Sequence, residues 1–206
     1  MDQVVRNAPF ARRRFEIGVS TLVLPGQAES GDMHLVMELP SETIFVVIDG
    51  LGHGHEAAVA AGTAIEIARE NASESIISLL QRCHQGLKQT RGAVMSVVRI
   101  NHDEMTLRWG GVGNVEGILI RSKLETQRPE CLLLRAGVLG YQTPPPTVAD
   151  LHVSQGDTIF LYTDGIRNGF VEKLPPADSC QQLAEAICTK FAKKNDDALI
   201  LVARYL

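Results

Sequence analysis

The sequence contains few aromatic residues and no long apolar segment. Aromatic residues make up 5% of the 206 residues, so the core must be built mainly from aliphatic side chains. The longest apolar stretches, at 44–48 and 198–203, fall far short of the ~18 residues that a membrane-spanning helix needs. The N-terminal residues also lack the apolar region of a secretory signal. We therefore expect a cytoplasmic protein that does not associate with a membrane.

Basic charge and clustered cysteines are also scarce. The net charge is −4, and the only basic run is at residues 12–14, so no nucleic-acid partner is expected. The four cysteines, Cys83, Cys131, Cys180 and Cys188, are scattered and form no C-x-x-C pattern. We expect them to be reduced, buried or half-buried thiols without a metal role.

Apolar periodicity predicts a chain in which strands outnumber helices. The predicted strands span 14–24, 33–39, 43–49, 92–100, 105–113, 116–121, 130–135, 157–164 and 197–206. Two predicted helices fall after the third strand and one falls before the last strand. Consecutive strands joined by tight turns favour antiparallel sheets over βαβ units. We predict a single domain over residues 1–206 with an α+β fold, an antiparallel β-sandwich flanked by α-helices.

Capping residues indicate where the later helices begin. Asn71 with Glu74, and Ser179 with Gln182, have the spacing of a capping box. The first helix, predicted over 54–70, is rich in alanine. Small side chains of this kind predict close packing against the layer beneath.

The stretch FVVIDGLGHG at 45–54 places an acid and three glycines directly after an apolar strand. One interpretation is a structural turn whose glycines adopt positive φ. A dinucleotide-binding fingerprint fits poorly, because the spacing is G-x-G-x-G, an acid precedes the first glycine and no parallel βαβ unit surrounds it. The third interpretation is that Asp49 belongs to a metal site.

A second corner of the chain repeats this pattern. FLYTDGIRNG at 160–169 also runs from an apolar strand into Asp164, a glycine and a turn. Asp32 begins another strand, and Asp196 and Asp197 precede the last one. Each acid alone fits a turn or cap, but buried aspartates are rare unless they are paired or bind a metal. Together they predict an oxygen-rich site that suits Mg²⁺ or Mn²⁺ better than Zn²⁺.

These motifs, in this order, resemble the metal-dependent PPM-type serine/threonine protein phosphatases of the SpoIIE-like branch. The resemblance extends from SGDMHLV at 30–36 to NDDALILV at 195–202, and IDGLGHG and GDTIFLYTDGI are its most specific parts. Within that branch the chain is most similar to the small stand-alone phosphatase of the bacterial stressosome. The resemblance implies a β-sandwich with a binuclear Mn²⁺ or Mg²⁺ centre at one end of the sheets.

The resemblance also implies roles for five residues. Asp49 would bridge two ions and position the attacking water, while the Gly50 carbonyl would bind one ion. Asp164 and Asp196 would hold the other ion. Asp32 would contribute directly or through bound water.

Three further residues are weaker candidates. The family usually has Ser or Thr where this chain has Leu199, which leaves open whether Asp196 or Asp197 is the ligand. A metal-bound water is the first choice to protonate the leaving group, and His53, or its neighbour His55, is the second. Asn114 matches a family turn near the site, where its expected role is backbone hydrogen bonding rather than chemistry.

The implied reaction is hydrolysis of phosphoserine or phosphothreonine without a phosphoenzyme. The implied substrates are phosphorylated STAS-domain proteins of the stressosome, in a bacterial general stress response. The family's N-terminal phosphate-binding arginine has no secure counterpart at 12–14. A catalytically weak scaffold of the same fold and an unrelated nucleotide-binding enzyme are the alternatives. The intact acidic set disfavours the scaffold, and the missing βαβ order disfavours the nucleotide-binding enzyme.

Overall fold

Two facing sheets form the centre of the computed structural model, which describes residues 4–5, 14–122 and 128–206. The first sheet contains, in spatial order, β1 (Val4–Val5), β3 (Asp32–Glu38), β4 (Glu42–Gly50), β5 (Ala93–Asn101), β6 (Thr106–Val112) and β9 (Val148–His152). The second contains β2 (Phe15–Leu22), β11 (Ala198–Tyr205), β10 (Thr158–Tyr162), β7 (Glu116–Ile120) and β8 (Glu130–Cys131). All neighbouring strands in these sheets pair antiparallel except β1 and β3, which are parallel.

Helices cover the outer faces of both sheets. The helices α1 (His55–Glu70) and α2 (Ile76–Gly86) share an apolar cluster with the first sheet. The helix α3 (Cys180–Phe191) packs on the second sheet near a short 3-10 helix, Phe170–Lys173. The predicted α+β sandwich with flanking helices is confirmed. None of the helices in the described ranges is long and apolar enough to span a bilayer.

Strand β4 is apolar on both faces because both faces are covered. Phe45 and Val47 belong to the core between the two sheets. Ile44, Val46 and Ile48 alternate with them and pack under α1 and α2. Side chains point to opposite faces along a strand, so Asp49 continues the face of Phe45 and Val47. The acid therefore lies at the open end of the gap between the sheets.

The predicted start of α2 is wrong by one turn. Ser75 is the N-cap, and its side chain accepts a hydrogen bond from the Ser78 N–H. Asn71 instead ends α1, where its Nδ2 donates to the Ile67 carbonyl at 2.7 Å. Both residues have side chains that compete with the backbone for hydrogen bonds, so either end of a helix suits them. The cap predicted at Ser179 is confirmed, since its side chain accepts from the Gln182 N–H.

Several strand and burial predictions also need correction. The strand predicted over 130–135 ends at Cys131, and Leu133 is 86% exposed. Cys131 is exposed, whereas the other three cysteines are buried. The edge strand β9, with the sequence VADLH, is absent from the predicted set. Its two partly buried residues, Val148 and Leu151, lie on opposite faces, so the strand has no apolar alternation. Of the basic run at 12–14, the first two arginines lie outside the described residues.

Candidate metal centre

Strand pairing places two of the predicted acids side by side. Asp32 on β3 and Asp49 on β4 are direct partners in the antiparallel ladder. Like charges that face each other across a ladder destabilise a sheet. The other pairs along these two strands are mostly apolar and include no basic residue except His34. The pairing of two carboxylates therefore lowers the stability of the sheet unless a cation or a proton neutralises their charge. Asp32 is 6% exposed and Asp49 is half-buried.

The second corner brings acids from the other sheet to the same end of the sandwich. Asp164 lies in the turn that follows β10, and Asp196 and Asp197 directly precede β11. The two strands are neighbours, and the Thr163 N–H donates to the Leu199 carbonyl at 3.0 Å. A side chain on Gly165 would come within 1.8 Å of the Asp197 carbonyl oxygen. Glycine at this corner is therefore required for close approach of the two backbones.

The first corner is tight for a similar reason. A side chain on Gly50 would come within 2.1 Å of the Ala57 carbonyl oxygen in α1. The alanine-rich face of α1 therefore packs directly on the end of β4, as the composition predicted. Positive φ is found further on, at Gly52 (89°) and Gly54 (72°).

Asp49, Asp164 and Asp196 line one open cavity of about 300 Å³. The polar side chains of Asn114, Asn195 and His53 complete its lining, together with Leu51, Gly52 and Val94. Three predicted metal ligands, from distant parts of the chain, thus converge on one space. Asp32, Gly50 and Asp197 are buried next to this space and do not line it.

Three acids at this site, Asp32, Asp49 and Asp196, have raised pKa values. Burial, followed by the charges of Asp164, Asp196 and Asp197, raises the pKa of Asp49 to about 7. Burial, and then the charge of Asp49, raises the pKa of Asp32 well above its usual range. The pKa of Asp196 is also raised, by burial and then by Asp164. A site that resists ionisation in this way gains stability when a cation neutralises it.

The chemistry of the donors fits a hard divalent cation. Carboxylate oxygens dominate the lining, and Mg²⁺ typically binds one or two carboxylates and keeps several waters. Within 14–122 and 128–206, no three His, Cys, Asp or Glu side chains already stand close enough to hold one ion. Like-charged carboxylates repel each other, and a cation would draw them together. The residues present fit the ion, with water completing its coordination.

Asp196 and Asp197 have different environments. Asp197 is buried, and its two carboxylate oxygens accept the N–H groups of Leu24 (2.7 Å) and Gly31 (2.8 Å). Asp196 faces the cavity and accepts only the N–H of Asp197, at 3.0 Å, among the described contacts. Asp197 thus ties the segment before β3 to β11, while Asp196 keeps an oxygen for a ligand.

Thr163 is a site residue that the sequence did not single out. Its hydroxyl donates to Asp32 Oδ2 at 2.7 Å and accepts the Leu199 N–H at 2.9 Å. This buried hydroxyl fixes Asp32 from the second sheet. The family's usual hydroxyl position is occupied here by Leu199, and Thr163 lies one residue before Asp164. Its position in the TDG motif was the available signal.

The two remaining candidates, Asn114 and His53, also lie in different environments. Asn114 Nδ2 donates to Asp164 Oδ2 at 2.8 Å, so this side chain orients a predicted ligand. Its partner is a carboxylate rather than the backbone that the sequence suggested. His53 is exposed on the cavity wall. The neighbouring His55 contacts Glu29 at 3.1 Å.

The sandwich and its acidic end define the PPM, or PP2C-like, class of protein phosphatases. A family model described as Stage II sporulation protein E (SpoIIE) matches residues 40–206. The chain belongs to this family and is a PPM-type protein phosphatase.

Individual relatives agree with this placement. Phosphoserine phosphatase RsbX of Bacillus subtilis (strain 168) is 25% identical over 183 residues, which cover 87% of this chain and 89% of RsbX. A structure of RsbX in complex with magnesium has a TM-score of 0.84 and 23% identity, covering 96% and 98% of the two chains. A chain described with the bacterial stressosome, a modular system adapted to control secondary messenger signalling, has a TM-score of 0.86 and 29% identity. That alignment covers 93% of this chain and 100% of the other.

Proposed function

We propose that this protein is a divalent-metal-dependent phosphatase that hydrolyses phosphoserine or phosphothreonine on STAS-domain proteins of a bacterial stressosome. One observation carries the proposal. Asp49, Asp164 and Asp196, which lie far apart in sequence, line a single cavity at the end of the sandwich. Burial and mutual repulsion already raise the pKa of Asp49 and Asp196, so the site favours a cation.

The proposed centre holds two ions of Mn²⁺ or Mg²⁺. Asp49 would serve both ions and the Gly50 carbonyl would serve one of them, while Asp164 and Asp196 would hold the other. Asp32 would contribute from beneath the cavity, directly or through a bound water, and the Thr163 hydroxyl holds its Oδ2 in place. Asn114 keeps the Asp164 carboxylate in place through its hydrogen bond.

Bound divalent cations would lower the pKa of water and neutralise charge on the phosphoryl oxygens during in-line attack. The chain's own part is positional. Strand ends hold Asp49 and Asp32 rigidly, and backbone contact at Gly165 fixes the second corner against Asp197. His53, exposed on the wall, is available as a weaker candidate to protonate the leaving group.

The relatives support the proposed substrate class. One is named as a phosphoserine phosphatase, and another is described with the stressosome. We propose the same kind of phosphoprotein partner for this chain, in the cytoplasm, with no membrane or nucleic-acid partner. An open cavity at the end of the sandwich suits a phosphorylated side chain presented on a protein surface.

The first test compares the unmodified protein with Asp49→Asn on a phosphoserine peptide and on a phosphorylated STAS-domain protein. We expect Mn²⁺-dependent phosphate release by the unmodified protein, loss of turnover after chelation and at least a 100-fold lower rate for Asp49→Asn. This variant keeps the shape of the side chain but removes the charge that holds the ions.

Turnover that survives chelation, or that Asp49→Asn leaves unchanged, contradicts the metal-dependent reaction. Tight binding of the STAS-domain protein by an unmodified, metal-loaded protein that releases no phosphate supports the scaffold alternative instead.

A further inference from the structure

We propose that Arg91 binds the phosphoryl group of the substrate from the rim of the acidic cavity, and this inference rests on the proposed phosphatase function. The guanidinium group lies against the cavity wall. A methyl group built on Gly52 would come within 2.9 Å of Arg91 Nη1, and Gly52 lines the cavity beside Asp49. Arg91 begins RGAVMSVVRIN at 91–101, a segment that the family resemblance covers without implying a role for this arginine.

The backbone at Arg91 is fixed relative to the site. The Leu51 N–H donates to the Gly92 carbonyl at 3.0 Å, which joins the segment before β5 to the segment after β4. Gly92 has φ of 80° and lies close to Leu139 and Val138, so the segment cannot shift easily. Arg91 therefore projects from an anchored position.

The side chain is held at the rim without being buried. Arg91 Nη2 forms an ion pair with Glu56 in the first turn of α1, and half of the Arg91 side chain remains exposed (50%). An arginine has five N–H donors in a planar fork. One ion pair leaves donors free for the oxygens of a second anion.

The charge of the cavity creates the need for such a residue. Three carboxylates line it, and none of the described residues that line it is a lysine or an arginine. A phosphate monoester carries up to two negative charges, so the carboxylates repel it. Bound cations offset part of this repulsion, and a guanidinium group can bind two phosphate oxygens at once. Lys193 is another nearby cation, but its charge acts on the predicted ligand Asp196. Arg91 instead lies beside Gly52, on the cavity wall.

The test uses the Mn²⁺-loaded protein, Arg91→Ala and Arg91→Lys. Arg82→Ala is the matched control, because Arg82 is a similarly exposed arginine on α2 that pairs with Glu74, away from the cavity lining. Turnover of p-nitrophenyl phosphate gives KM and kcat. Calorimetry gives the affinity for inorganic phosphate and, separately, the affinity for Mn²⁺.

We expect Arg91→Ala to raise KM and the phosphate Kd about tenfold and to change kcat less than threefold. Arg91→Lys should recover part of the affinity, since it keeps the charge but loses the fork. Mn²⁺ affinity and all constants of Arg82→Ala should stay within twofold.

Two results would overturn the role of Arg91. Phosphate affinity unchanged in Arg91→Ala shows that the side chain does not bind the anion. A parallel loss of Mn²⁺ affinity shows that it acts through the metal centre. Phosphate binding needs no turnover, so an inactive unmodified protein would refute the proposed function and still allow Arg91 to be judged.

Discussion

Asp196 and Asp197 are adjacent in the sequence, but their carboxylates lie in different environments. Both carboxylate oxygens of Asp197 accept hydrogen bonds from backbone N–H groups, whereas the cavity-facing Asp196 accepts one such hydrogen bond. A buried carboxylate that accepts two backbone hydrogen bonds is a structural residue. The two acids are adjacent and identical in the sequence, so no sequence pattern could decide which of them is the metal ligand.

The pair Asp196→Asn and Asp197→Asn tests this difference. Asp196→Asn should lower Mn²⁺ affinity at least tenfold and leave the unfolding free energy in chelator unchanged. Asp197→Asn should lower that free energy by about 1–3 kcal/mol, because an amide NH₂ would face a backbone donor. Calorimetry with Mn²⁺ and urea unfolding in chelator measure the two quantities. The assignment is wrong if Asp197→Asn loses metal affinity while Asp196→Asn retains it.

Thr163 shows how one hydroxyl can link two sheets at the residue scale. It joins Asp32 on β3 to Leu199 on β11 through two short hydrogen bonds. The hydrogen bond to Asp32 opposes the rise in that carboxyl's pKa caused by burial and by Asp49. Thr163 thus offsets part of the rise in the pKa of Asp32.

At the scale of secondary-structure elements, the residue at which a helix begins depends on tertiary contacts, which a sequence pattern does not show. Both Asn71 and Ser75 are good capping residues, and the pattern with Glu74 favoured Asn71. The chain instead ends α1 at Asn71 and begins α2 after Ser75. Arg99, 11% exposed at its side chain, fixes this connection by donating to the carbonyls of Ala72 and Glu74.

Ser75→Ala provides the corresponding stability test. Loss of the hydrogen bond from Ser78 N–H should lower the unfolding free energy by about 1 kcal/mol. Gln85→Ala, at an exposed position on the same helix, serves as control and should change it by less than about 0.5 kcal/mol. Equal effects of the two substitutions in urea unfolding would show that Ser75 is not an effective cap.

At the scale of the whole molecule, the folding stability depends on pH through a residue outside the acidic cavity, His102. His102 is buried at the end of β5, stacks on Tyr205 and has an unpartnered Nδ1 among the described residues. Burial, with the charge of Arg14 adding to it, lowers the pKa of His102 to about 4. The unfolded chain takes up a proton near pH 6.5, so stability that is present at neutral pH is lost as the pH falls from about 6.5 towards 4.

The expected loss between pH 7 and pH 5 is about 2 kcal/mol from this residue. Urea unfolding at the two pH values should show it in the unmodified protein and not in His102→Phe, which retains the ring but cannot be protonated. Taking the difference between the two proteins removes the contribution of the shared acids. An identical loss in both proteins would show that His102 does not control the acid sensitivity.

The sequence alone was enough to predict the fold class and the acidic site. The apolar runs and turns predict the sandwich because local periodicity reflects which faces are covered. The repeated Asp-Gly corners predict the acidic site, since strand ends deliver side chains to one edge. The strand at 148–152 was not predicted, because its partly buried residues, Val148 and Leu151, lie on opposite faces and give no apolar alternation.

Only the tertiary structure decided which residues meet. Thr163 and Asp32 are 131 positions apart and touch because two sheets pack face to face. Arg91 lies beside Gly52 because β4 and β5 pair in one register. Asp196 and Asp197 differ only through backbone donors supplied by the segment before β3. Contacts of this kind depend on packing between distant segments, which no local pattern encodes.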